Sequence, residues 1–131
     1  MAIRVVRLGT PRAKGEGPRF GTVRRPPRGV KKQDFARRDF FDQWLPDLSP
    51  SAPLVKWALS TPWTDVRWTR YERAYRREMR EPSRQRLLAV LAQLSHQADF
   101  AVGCYCEDER RCHRSILRSL LEAEGAEIAR D

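Results

Sequence analysis

The segment Cys104-Tyr105-Cys106-Glu107-Asp108-Glu109-Arg110-Arg111-Cys112-His113-Arg114 holds all three cysteines of the chain and one of its two histidines. These residue types carry chemistry. A thiolate is a nucleophile and a metal ligand, an imidazole moves protons near neutral pH, and a guanidinium grips phosphate or carboxylate through paired N–H groups. Three uses of the segment compete. In the first it builds an anion or substrate pocket, with His113, Cys106 and Cys112 as reacting groups and Cys104 and Arg114 as contacts on its wall. In the second the cysteines and His113 form a Cys3His zinc set. The spacing C-x-C-x5-C-H departs from the usual C-x2–4-C pair, and adjacent Cys112 and His113 diverge on a helix, so neither a metal nor a cofactor is expected. In the third, Cys104 is a small buried hydrophobe and His113 is merely a satisfied polar group.

Cys104 to Arg110 also spells C-x5-R, the phosphate-loop spacing of cysteine phosphatases. Such a loop curls its amides around phosphate, whereas Glu107, Asp108 and Glu109 would repel that ligand. The match is discounted.

The elements around the segment decide what it can reach. Phe100-Ala101-Val102-Gly103-Cys104-Tyr105-Cys106 is almost wholly apolar, as a parallel strand covered by helices on both faces would be. Two residues apart on a strand, Cys104 and Cys106 share a face. Cys112, His113 and Arg114 then open the next helix, whose apolar stripe is Ile116, Leu117, Leu120 and Leu121 and whose C-terminal glycine is Gly125. The positive end of that helix attracts anions and depresses a nearby thiol pKa. In open α/β sheets, ligands bind beyond the carboxyl ends of the strands, which is where this segment falls.

Upstream, residues 2–8 read as a strand broken by Gly9-Thr10-Pro11, and 20–25 as a second short strand stopped by Pro26-Pro27. Ser49-Pro50 reads as a helix start, with Leu54, Val55 and Ala58 facing inward. Trp68, Tyr71, Tyr75 and Met79 recur at helical spacing over about 64–80, and Leu87, Leu88, Leu91 and Leu94 mark a helix over about 83–96. The tail 126–129 reads as an edge strand. The pattern is a single α/β domain over residues 1–131, a small, mostly parallel sheet flanked by helices.

Composition sets the outer bounds. Lys and Arg number 26 against 17 Asp and Glu, a formal charge of +9 at a pI near 10.3. Such a field draws polyanions, so the expected partner is nucleic acid or a phosphate-bearing small molecule. Arg24, Arg25, Arg28, Lys31 and Lys32 read either as a solvated loop or as a phosphate-contacting rim. Trp44, Trp57, Trp63 and Trp68 read as packing groups or as base-stacking platforms. No apolar run reaches the length of a membrane span or a signal peptide, and clustered thiols suit a reducing compartment, so a cytoplasmic protein without a membrane partner is expected. Oligomeric state is not legible.

The stretches PRGVKK (27–32), LSPSAPLVKW (48–57), Arg70-Tyr71 through Tyr75 and Glu78-Met79, and CYCEDERRCHRSIL (104–117) resemble the DUF488 family, small bacterial and archaeal proteins that include the YeaO-like group. The resemblance runs through most of the chain from about residue 20, and its most specific part is the Cys-x5-Cys-His-Arg ending. YeaO-like members commonly read DRLWPRG where this chain reads Val23-Arg24-Arg25-Pro26-Pro27-Arg28-Gly29, so the acidic residue and the tryptophan are missing here. The resemblance implies an α/β fold, a site near 104–114 and a link to nucleic-acid metabolism of N-glycosidase type.

Two functions are therefore expected. One is an enzyme acting on a nucleotide or nucleic acid. Arg28 and Arg114 would hold phosphate, Tyr75 would line the pocket, and His113 would serve as acid, base or donor. Glu107, Asp108, Glu109 and Glu78 are the carboxylates a hydrolase could draw on. The alternative is a non-catalytic module that presents a basic face to nucleic acid, and a third, weaker use is thiol redox sensing by Cys106 and Cys112.

Overall fold

The computed structural model describes residues 1–130. Four strands, β1 (Ile3–Arg7), β2 (Arg19–Gly21), β3 (Gln43–Trp44) and β4 (Phe100–Cys104), form one sheet in the order β1-β4-β2-β3. Every pairing is parallel. β4 is central and buried along its whole length, with Val102 opposite Val5 on one side and Phe20 on the other. Such a strand has no solvent face, which is why it reads as a continuous apolar run. The tail contributes a single parallel bridge, Ile3 to Ile128, beside β1 rather than a full edge strand.

Four helices follow from their capping chemistry. In α1 (Ala52–Ala58) the cap is Ser51, two residues later than the Ser49 expected from sequence, and its hydroxyl accepts from Leu54 N. Ser49 instead donates its hydroxyl to Pro50 O and closes a 3-10 turn over Pro46–Leu48. In α2 (Asp65–Glu78) the Thr64 hydroxyl accepts from Arg67 N at 3.1 Å. α3 (Pro82–Leu94) starts on a proline, whose missing N–H costs nothing there. α4 (His113–Ala123) ends at Gly125, whose φ of 89° lets Ala126 N bond back to Leu121 O at 3.0 Å.

Ile3, Val5, Phe100 and Val102 form the main core with Tyr71, Tyr75 and Met79 of the α2 region, Leu88 and Leu91 of α3, and Ile116, Leu117 and Leu121 of α4. Fully burying each such side chain is worth about 1.5–3 kcal/mol. The opposite face departs from the expectation of helices on both sides. Its residues Gly21 and Gly103 are so small that loop side chains, Phe41 and Leu8, lie directly against them. Leu8, Val23 and Phe41 join Cys104 and Cys112 in a second, smaller core at the carboxyl ends of the strands. β2 ends at Gly21 rather than running over the expected 20–25: Thr22 N still bonds Gly103 O, but beyond it the chain turns away, and Arg24 donates to the carbonyls of Pro46, Ser49 and Pro50. Among the described residues no helix is long and apolar enough to cross a membrane.

Candidate functional site

Cys104 is the last residue of β4, Cys106 lies two residues beyond it, and Cys112 is the N-cap of α4. Between them the chain folds back tightly. Asp108 Oδ1 accepts from Arg110 N at 3.0 Å, Cys112 N donates to Glu109 O, and the Glu109 carboxylate pairs with Arg118 of α4 at 2.9 Å. The return brings the three sulfurs within 4.8 Å of one another, with Cys104 and Cys106 only 3.7 Å apart. All three are free thiols; Cys104 and Cys112 are buried and Cys106 is exposed.

His113 is buried behind this cluster. Its Nε2 donates to Thr22 O at 2.7 Å, and Nδ1 lies 3.8 Å from Cys112 Sγ. Thr22 is itself fixed, its hydroxyl donating to Gly103 O at 3.0 Å. Hydrogen bonds from Cys104 and Cys106, and then the contact with His113, hold the Cys112 thiol well below the usual thiol range against the opposing effect of burial. The same bonds push Cys104 up, because it keeps the proton it gives to Cys106. Cys106 is drawn down by Cys104, but its bond to Cys112 and its desolvation outweigh that and carry it up to about 11.

A cleft of about 1120 Å³ opens above the sulfurs. One wall is the loop Val23–Arg28, tethered by the Tyr105 hydroxyl, which donates to Arg25 O at 2.9 Å. The other is α1 with Trp63 and Tyr71. The rim carries Arg25, Arg28 and Lys56, all exposed and without an ion pair among the described residues. No Asp or Glu among the described residues lines the cleft.

The sequence-derived residues divide three ways. Cys104, Cys106, Cys112 and His113 meet at the floor, and Arg28 stands on the rim. Tyr75 does not line the cleft; it is fully buried, its hydroxyl donates to Leu48 O at 2.7 Å, and its ring packs edge-on against His113. Arg114 is also buried rather than open to the cleft: Nη2 donates to Cys106 O at 2.5 Å and Nε has no partner. Of the carboxylates, Glu78 is committed to the amide and hydroxyl of Ser51, and Glu107, Asp108 and Glu109 lie outside the cleft. Arg110 of the discounted C-x5-R pattern points to solvent and pairs with Asp108. Sequence reasoning did not assign Tyr71, Tyr105 and Lys56 to the site; their signal was membership of the stretches that resemble the DUF488 family.

Comparison with curated proteins and with solved structures gives no match. A family model does match, over residues 3–125, from the first residue of β1 to the glycine that ends α4. It is DUF488-N3a, described as the active DUF488-N3 subclade, and the chain belongs to that branch of the DUF488 family.

Proposed function

We propose that the chain is an enzyme that hydrolyses a bond in a nucleotide or nucleotide-bearing molecule held in this cleft. The observation that carries the reading is the pairing of three rim cations, Arg25, Arg28 and Lys56, which have no carboxylate to neutralise them, with walls of proline and aromatic residues. An anion with a flat apolar body suits both halves: phosphate at the rim by charge, base against Trp63, Tyr71 and Tyr105 by stacking. The reacting bond would then lie over the corner formed by Cys106, Cys112 and His113. The N-glycosidase reading loses its usual carboxylate, since none faces the cleft, so the attacking group has to come from elsewhere in the floor.

The test is calorimetric titration of the full chain with each common ribo- and deoxyribonucleotide, followed by chromatography for released base, sugar or phosphate. Binding and turnover are expected for at least one nucleotide, with affinity reduced at least about tenfold in the Arg28→Ala, Lys56→Ala double variant and its melting temperature unchanged. Absence of binding to every nucleotide would overturn the proposal, and so would binding that survives the double variant.

A second reading, a nucleic-acid-binding module, has its own observation: Arg70, Arg73, Arg77 and Arg80 are all exposed along one side of α2 and its C-terminal end. A row of this kind tracks a phosphate backbone.

A further inference from the structure

We infer that Cys104, Cys106 and Cys112 bind one zinc ion as three thiolate ligands, leaving a fourth position open to the cleft. Tetrahedral zinc with Zn–S bonds of about 2.3 Å sets its sulfurs about 3.8 Å apart. Cys104 and Cys106 already stand 3.7 Å apart, and no pair in the cluster is separated by more than 4.8 Å. Completing the triangle therefore needs no pair to close by more than about 1 Å. The spacing objection to a metal disappears in three dimensions. A C-x2–4-C pair serves a tight knuckle, whereas residues two apart at the end of a strand reach the same face without one. The third ligand is supplied by the cap of the helix that follows.

Charge points the same way. Arg114 is 3% exposed, has no ion pair among the described residues, and leaves its Nε without any hydrogen-bond partner. A buried, uncompensated guanidinium is costly. Three thiolates around a divalent cation carry a net charge of −1. Arg114, bonded to the carbonyl of Cys106, lies next to that charge and balances it. His113 is not the fourth ligand: its Nε2 is held by Thr22 O, and its ring stands outside the group of three sulfurs that lie within 4.8 Å of one another. All three cysteines line the cleft, so the open position faces it. Zinc with three protein ligands and an open site acidifies a bound water, which would give the cleft an attacking group that no carboxylate there provides. Zinc binding does not depend on which substrate the cleft takes.

The test is anaerobic titration of the reduced, chelator-stripped full chain with cobalt(II), followed by zinc. A near-ultraviolet thiolate-to-cobalt band and visible tetrahedral bands are expected to saturate at one equivalent and to vanish on adding one equivalent of zinc. Zinc is expected to shield all three cysteines from alkylation, read by mass spectrometry. Cys106→Ser, at an exposed position, is expected to keep the fold and weaken binding at least about tenfold. Lack of a thiolate band at one equivalent would overturn the inference, as would affinity unchanged in Cys106→Ser or alkylation unaffected by zinc. Zinc bound without any nucleotide binding would overturn the proposed function alone; nucleotide binding without a thiolate–cobalt band would overturn the zinc site alone.

Discussion

Nε2 of His113 lies 2.7 Å from the carbonyl oxygen of Thr22. A carbonyl can only accept, so Nε2 carries a proton and donates it there, while Nδ1 faces the Cys112 sulfur at 3.8 Å. Removing the ring leaves a buried carbonyl short of its donor, which costs about 1–3 kcal/mol. His113→Ala is expected to lower unfolding free energy by at least that much in urea titrations. His113→Gln, whose amide can still donate, is expected to recover part of it.

Arg19 is buried with all five of its N–H donors engaged: two on Glu16, and one each on the carbonyls of Thr10, Asp39 and Pro11. Breaking a buried pair by deleting one partner costs about 3–5 kcal/mol. Arg19→Met is expected to fall in that range, and more than Glu16→Gln, because it strands three carbonyls as well as a carboxylate.

The same cluster sets the acid limit. Burial by itself would raise the Glu16 carboxyl, but the bonds from Arg19 and the Ala13 amide outweigh it and hold it below its ordinary 4.5. Asp42 is held below its ordinary 3.8 in the same way, by the Arg19 amide and the Arg12 side chain. With folded values below unfolded ones, the unfolded chain binds more protons in acid. The stabilisation is complete above pH 4.5 and is lost as pH falls through the folded values. Chemical denaturation at descending pH is expected to show this loss, and a flatter profile in Glu16→Gln.

Two glycines of one loop separate backbone strain from steric conflict. Gly15 has φ of 75° with open space around a would-be Cβ, while Gly17 has φ of 81° and a Cβ there would sit 1.9 Å from Asp99 O. Gly15→Ala is expected to cost about 1–2 kcal/mol from the left-handed conformation alone. Gly17→Ala must also move the backbone at the start of β4, and is expected to cost clearly more in the same denaturation assay.

The arginine row on α2 can be tested apart from the cleft. If it binds a nucleic-acid backbone, Arg73→Gln with Arg77→Gln should reduce the log–log salt slope for a single-stranded oligonucleotide by about 1.4. Nucleotide affinity in the cleft should stay the same. An unaltered slope would remove that row from any nucleic-acid interface.

Periodicity was most informative where a helix packs on the sheet. The spacing of Trp68, Tyr71, Tyr75 and Met79 gave α2 to within two residues, and the apolar run at 100–106 gave β4. β3 is only Gln43 and Trp44, both exposed, and two residues leave no alternation to read. The Glu16–Arg19 pair was hidden for another reason: a Gly/Pro-rich stretch reads as solvated loop, and nothing local shows that carbonyls from Thr10 and Asp39 converge on one guanidinium. For the site, the strand-end and helix-start positions of the cysteines were legible. Their convergence was not, because it depends on the turn through Asp108 and Glu109. The position of Tyr75 behind His113 was not legible either, because an aromatic at helical spacing looks the same whether it lines a cleft or backs a histidine.

Tyr105 sits between the first two cysteines and anchors three things at once. Its carbonyl accepts from Arg7, its ring meets Phe40, and its hydroxyl holds Arg25 O. One phenol therefore ties the sulfur-bearing backbone to the lip that carries Arg25 and Arg28. The floor and the lip are thus joined through one residue, so a substitution at Tyr105 touches both.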